Sequence, residues 1–297
     1  MPHAARLIFS GLLLGLLGLS VPAASAHEGA HSKIERMSLE IDALQAEGGA
    51  SDSLLARLYQ LRGEEYLQQQ RWVLARADFE QVRRIDPDNR RVALSLARLF
   101  HRQGDAQSAL TSVEGYLQRF PDDADALLLR ARVLRGMKRF RLSAADFDRA
   151  IAVMEHADSS LYLERAEVLE EGGLLETALS GLDQASRRLG NLLIFESKRI
   201  DLLLKLEAVD EALRRIDRVL ARIPRKERWL LMKARILEQQ NNDQAASESY
   251  ASALAALDEL PPRLSRVPAM ARIRDEAEQG LKKLQEPLIN SGVSRLW

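Results

Sequence analysis

Between Arg71 and Asn89 the apolar residues Leu74, Ala75, Ala77, Phe79, Val82 and Ile85 recur at helical spacing, and Asp86-Pro87-Asp88 ends the run. The same pattern returns down the chain. Ala75 is echoed by Ala109, Ser143, Ala178, Ala212 and Ala246, at intervals of 34, 34, 35, 34 and 34 residues. A fixed period of this length is the signature of a repeat array, which grows by stacking units rather than by enlarging one core. The period predicts six units, at 56–89, 90–123, 124–157, 159–192, 193–226 and 227–260. Each is a pair of helices joined by a short turn, centred on Gln70 in the first unit, Gly104 in the second and Gly173 in the fourth.

Within each unit small and large residues alternate at matched positions. The first helix carries Gly63, Ala97, Ala131, Ala166 and Ala234, with Ile200 as the exception. Three residues on come Tyr66, Phe100, Leu134, Leu169, Leu203 and Leu237. Four residues beyond the Ala75 series lie Phe79, Val113, Phe147, Leu182, Ile216 and Tyr250. Small residues let helix axes approach, and large ones fill the space between them. Flanking segments read as caps. Ser32-Lys33-Ile34-Glu35 fits a capping box at a helix start, followed by an Ile34, Met37, Ile41, Leu44 stripe that Gly48-Gly49 ends. After Pro261-Pro262, Val267, Met270, Ile273, Ala277, Leu281 and Leu284 form one stripe in a charged segment, with 286–297 expected as a loosely ordered tail.

This small-large-small-large pattern with closing prolines (Pro87, Pro121, Pro224) resembles the tetratricopeptide repeat over residues 56–260. Glu155, Gly190 and Asp258 stand where the proline would, Ser143 replaces an alanine, and the turn from Glu155 to Ser160 carries one extra residue. The resemblance implies an all-α, right-handed superhelical solenoid. Its concave wall would be lined by the first helix of each pair and would hold a peptide or a partner protein.

Composition narrows the function classes. Lys plus Arg and Asp plus Glu both total 43, so no overall field favours nucleic acid or an anionic membrane. The absence of cysteine removes disulfides, thiolate metal sites and cysteine nucleophiles. Residues 1–26 read as a cleavable export signal: Arg6 is the charged start, Leu7 to Val21 the apolar core, and Ala24-Ser25-Ala26 the cleavage site. The core is too short for the roughly 20 residues a spanning helix needs. The mature protein is expected in the bacterial periplasm, with residues 27–55 forming a flexible leader and the N-terminal capping helix, and 261–297 the C-terminal cap and tail. Cleavage after Ala26 would free His27-Glu28-Gly29-Ala30-His31, whose amine and imidazoles suit copper or zinc. Against this stands a plain polar leader.

Mapping the inward-facing positions implied by the resemblance gives a bipolar groove. Arg91, Arg98, His101, Arg102, Arg132 and Arg135 form a basic half. Glu164, Glu167, Glu170, Glu171 and Asp201 form an acidic half, beside Leu94, Leu128, Leu163 and Leu231. Arginine forks suit carboxylates and phosphates, and opposed charge fixes the direction of a bound segment. The alternative is that Arg98 and Arg132 pair with acids of neighbouring repeats, such as Glu64 or Glu167, and that the leucines are inter-helix core. The wall lacks the Asn pair of a C-terminal carboxylate clamp. No Gly-rich phosphate loop, serine elbow or HExxH is present, so neither an enzyme nor a cofactor is expected. The leading expectation is an interaction scaffold, against a metal-handling protein using His27 and His31. Self-association through the end caps is a third reading, which would make the oligomeric state depend on 264–297.

Overall fold

The same turn closes six times, and it sets the architecture. Residues 70, 104, 138, 173, 207 and 241 all have left-handed backbone, with φ between 56° and 79°. At each, the next residue's amide donates back five residues: Arg71 to the Tyr66 carbonyl, Asp105 to Phe100, Arg139 to Leu134, Leu174 to Leu169, Ala208 to Leu203 and Asn242 to Leu237, at 2.8–3.0 Å. The left-handed residue itself donates three back, as Gly173 does to Glu170 at 2.9 Å. These are Schellman closures, which satisfy the last carbonyls of the first helix and fold the chain back. Only two of the six positions are glycine, so the sequence marks the turn in only part of the array.

The computed structural model describes residues 24–47 and 52–292. Six helix pairs result: α2 (Asp52–Gln68) with α3 (Trp72–Ile85), α4 (Arg90–Arg102) with α5 (Ala106–Arg119), α6 (Ala124–Gly136) with α7 (Phe140–Val153), α8 (Ser159–Glu171) with α9 (Leu175–Leu189), α10 (Leu193–Lys205) with α11 (Val209–Leu220), and α12 (Glu227–Gln239) with α13 (Asp243–Asp258). They are flanked by α1 (Ala24–Glu47), the short α14 (Pro262–Ser265) and α15 (Pro268–Gly292). Among the described residues every regular element is a helix. The expected signal lies almost wholly outside these residues. So do the Gly48-Gly49 pair and residues 293–297.

Two expectations at the ends are corrected. α1 starts at Ala24, eight residues before the expected cap, so Ser32 is interior and its capping box is not realised. The alanines at 24, 26 and 30 carry the helix through with no proline to stop it. At the other end α15 runs on to Gly292, past Glu286 where a tail was expected.

The chain divides into two compact units, one ending at Tyr116 and one beginning at Leu117, inside α5. In the first, Ile34 and Ile41 of α1 are buried against α2, with Met37 and Leu44 packed beside them, as the stripe predicts. Arg62 forks onto the buried Asp78 (Nε to Oδ2 2.8 Å, Nη2 to Oδ1 2.7 Å) and donates to the Ser38 hydroxyl of α1 at 2.9 Å. In the second unit α15 caps the array: Ala277 and Leu284 are buried beside Tyr250, and a side chain at Gly280 would collide with the Tyr250 ring. The whole Ala75 series and the whole Phe79 series are buried, including Ser143, whose hydroxyl donates to the Ala131 carbonyl at 2.6 Å.

Candidate functional site

The first helices carry most of the residues singled out in the sequence, and the two units treat them differently. In the second unit the cations of α6 and the acids of α8 meet each other. Arg132 donates twice to Glu164, at 2.9 Å from both nitrogens. Arg135 forks onto Glu171, with Nη2 at 2.6 Å, and reaches Glu167 at 3.4 Å. Glu170 of α8 then receives both Lys198 and Lys205 from α10. One further step along, Arg235 of α12 pairs with Glu276 of α15.

The electrostatics follow from these contacts. The hydrogen bond from Arg135 holds the Glu171 carboxyl below its ordinary value. Glu170 is pushed up by partial burial, but the two ammonium groups pull it further down, and it ends below its ordinary value. Loss of hydration on α10 pushes the Asp201 carboxyl above its ordinary value, with Glu170 adding to this and Lys198, Lys205 and Arg228 acting against it. The structure therefore pairs Arg132 with Glu164, and Arg135 with Glu171 and Glu167, across adjacent first helices. Between α6 and α8 the arginines make the inter-repeat bridges that the sequence offered as the alternative, with Glu164 rather than Glu167 as the partner of Arg132. The physical reason is register: a 34-residue step sets equivalent positions of adjacent first helices side by side.

The leucines follow the inter-helix core alternative given for them in the sequence. Leu94, Leu128 and Leu231 are buried, at 6%, 8% and 5% exposure, and so belong to the inter-helix core rather than to a groove floor. Leu163 is half-buried.

In the first unit the picture differs. Arg91 and Arg102, at the two ends of α4, are exposed and make no hydrogen bond or ion pair among the described residues. Arg98 and His101, both half-buried, are engaged by other groups of the protein. Beside α4, Glu64 of α2 accepts from Gln60 at 3.1 Å and from Ser95 of α4 at 3.4 Å. Between α1 and α2 a cavity of about 390 Å³ is lined by Lys33, Arg36, Met37, Leu61, Glu64 and Gln68, among others. This mixed apolar and charged hollow was not legible in the sequence, because α1 was read only as a solvating cap.

The side chains of His27 and His31 lie outside the described residues. Among the described residues no group of three or more His, Asp or Glu side chains is placed to hold a metal. No helix of the described residues is long and apolar enough to cross a membrane.

Comparison with known proteins adds the fold. Residues 66–133 and 198–261 each match a tetratricopeptide-repeat family model. No curated protein matches the chain by sequence. Among solved structures, the C-terminal part of a TPR repeat-containing protein from Cytophaga hutchinsonii is 14% identical with a TM-score of 0.60, covering 86% of this chain and 98% of that one. A complex of Naa15 and Naa10 bound to HypK-THB is 16% identical with a TM-score of 0.52, covering 89% of this chain and 45% of that one. A tetratricopeptide repeat protein from Parabacteroides merdae is 15% identical with a TM-score of 0.47, covering 86% of this chain and 98% of that one. At these identities the first two likenesses establish fold alone.

Proposed function

From a chain that is a tetratricopeptide-repeat protein, we propose an exported, non-catalytic scaffold that holds a peptide or partner protein against the first helices of its N-terminal unit. The repeats support the interaction role itself. The observation that carries the location is a contrast in charge use. On α6, α8 and α10 the charged groups are consumed pairwise, whereas on α4 Arg91 and Arg102 stand in solvent without a counter-charge. An unpaired guanidinium fork loses little on meeting a carboxylate, because no existing pair has to be broken first. The hollow between α1 and α2, with Met37 and Leu61 in its wall, offers apolar contact to the same ligand. An extended or helical segment carrying acidic residues fits this chemistry.

Export is supported by Arg6, the apolar run from Leu7 to Val21 and the Ala24-Ser25-Ala26 site. We place the mature chain, beginning at His27, in the periplasm. Fusing residues 1–26 to a reporter active only after export tests that placement, and a reporter retained in the cytoplasm would refute it.

The binding site is tested by capturing partners from a periplasmic extract with residues 27–297, beside the charge-reversed pair Arg91→Glu and Arg102→Glu. A partner recovered by the unmodified chain, weakened by raised salt and lost from the reversed pair with helicity unchanged, is the expected result. Equal recovery by both proteins would sink the α4 assignment.

A further inference from the structure

In the C-terminal unit α9, α10 and α11 enclose a cavity of about 630 Å³. Its wall is unusual in charge. Arg187, Arg199, Arg215, Arg218 and Arg222 all line it, with Asp183 and Glu196 as the acids and Ser186 and Asn191 as neutral polar groups; Ala221 is the sole aliphatic side chain. The acids are already committed. Glu196 receives Arg199 Nη1 at 3.0 Å and Arg215 Nη1 at 3.3 Å. Asp183 lies 2.9 Å from Arg199 Nε and 3.8 Å from Arg215 Nη2. Glu211, at the edge, holds Arg218 at 2.5 Å and Arg215 at 3.6 Å. Five guanidinium groups therefore line the cavity beside two carboxylates, and Glu211, outside the lining, is shared with Arg214 at 2.9 Å. Arg187 makes no ion pair among the described residues, and Arg222 donates only to the Arg218 carbonyl, at 3.2 Å.

The deep part of this wall is built rather than incidental. Arg199 is 2% exposed and anchored by donation from Nη2 to the Leu182 carbonyl and the Ser186 hydroxyl, both at 2.6 Å. The buried Nε of Arg215 makes no hydrogen bond, and that of Arg199 faces Asp183. Burial first, and the neighbouring Arg215 as well, push the Arg199 guanidinium below its ordinary value, while Glu196 and Asp183 act against this. The buried Arg199 and half-buried Arg215 are matched by Glu196 and Asp183, and the surplus charge lies on the exposed Arg187, Arg218 and Arg222, which an added anion can meet.

We propose that this cavity binds a phosphate monoester of a polar small molecule, with the exposed forks of Arg187 and Arg222 closing on the phosphoryl group. The surplus of guanidinium groups over carboxylates in the lining suits a dianionic group such as a phosphate monoester, which carries about −1.5 to −2 near neutral pH. Guanidinium forks fit its oxygens in pairs. The volume lies within the roughly 300–1,000 Å³ of small-molecule sites, so an organic body fits beside the phosphoryl group. Ser186 and Asn191 can hydrogen-bond hydroxyls of that body, and a wall with so little aliphatic surface disfavours an acyl chain. This site is separate from the α4 face, and its failure leaves the scaffold reading untouched.

The test is calorimetric titration of residues 27–297 with inorganic phosphate and with glucose 6-phosphate, in chloride buffer of matched ionic strength. Saturable one-to-one binding is expected for both, tighter for the sugar phosphate. The exposed pair Arg187→Gln and Arg222→Gln should weaken both at least tenfold with an unchanged circular dichroism spectrum. The remote pair Arg91→Gln and Arg102→Gln should leave both unaltered. Absence of saturable binding overturns the proposal, as does equal affinity in the Arg187 and Arg222 variant. Equal weakening by the remote pair also overturns it, since diffuse charge would then be responsible. Phosphate binding without any gain from the sugar would refute the organic body.

Discussion

A single position on each first helix carries a cation through most of the array: Arg62, Arg130, Arg165, Arg199 and Lys233, with Leu96 in the second repeat. Where an acid stands sixteen residues on, the pair closes within the repeat, as in Arg62 with Asp78 and Arg130 with Asp146, the latter at 2.6 Å from both nitrogens. From the fourth repeat that acid is gone, replaced by Gly181, Arg215 and Ser249. The cation then reaches back to the preceding repeat: Arg165 to Asp148, Arg199 to Asp183 and Lys233 to Asp217, at 2.6–2.9 Å. Gly181 is part of the switch, since a Cβ there would sit 2.2 Å from Arg165 Nη1. Asp146 is buried, so Asp146→Ala removes the two hydrogen bonds it accepts from Arg130 and should destabilise the repeat by about 2–3 kcal/mol. Urea unfolding followed by far-ultraviolet circular dichroism measures this, and a loss below ~0.5 kcal/mol would refute the role given to the pair. Gly181→Ala presses only on the far end of the Arg165 side chain and gains helix propensity, so it should shift stability by no more than about 1 kcal/mol while displacing the guanidinium from Asp148.

The helix pair is the element at which the chain is repetitive, and its turn is more uniform than its sequence. Gln70, Lys138 and Glu207 adopt left-handed backbone at φ of 58° or 59°, where glycine would cost less. Lys138→Gly is accordingly expected to stabilise by about 0.5–1 kcal/mol, read as a raised urea midpoint at unchanged slope. A lowered midpoint would show that the Lys138 side chain matters more than its backbone. The bridges between α6 and α8 are the element-scale counterpart. Arg132 is 45% exposed in its side chain, and its bridge to Glu164 is screened by solvent. Arg132→Ala should therefore cost no more than about 0.5 kcal/mol. These contacts fix the register of successive first helices more than they add stability.

Across the whole molecule the carboxylates set a pH window. Asp105 and Asp158, each accepting from a helix-start amide, and Glu170, Glu171, Glu211 and Glu238 all lie below their ordinary values in the folded chain. A depressed folded value means the stabilisation is complete above the unfolded value, ~4–4.5, and is lost as pH falls through the folded one. Lys205 and Lys283 are raised by Glu170 and Glu238, so their contribution is complete below the unfolded ~10.4 and lost as pH rises through the folded value. The melting temperature should thus be level between about pH 6 and 9 and fall on both sides. A melting temperature that rises as pH drops from 6 to 4 would contradict this.

What the sequence determined by itself is the part written in period. The small and large series are apolar, recur every 34 or 35 residues and can be buried in one way, so Ala75, Phe79 and their echoes locate the helices and the core without coordinates. The two capping stripes are legible for the same reason. Tertiary structure alone decided the fate of the charges. Arg132 and Glu167 look alike whether they face a ligand or each other, because a guanidinium carries no mark of its partner. Spacing of 34 places the partner one repeat away, where only folded geometry selects Glu164 over Glu167. The arginine cavity escaped for the same reason: Arg187, Arg199 and Arg215 belong to three helices and Arg222 to the turn after α11, and no period in the chain marks the space between them.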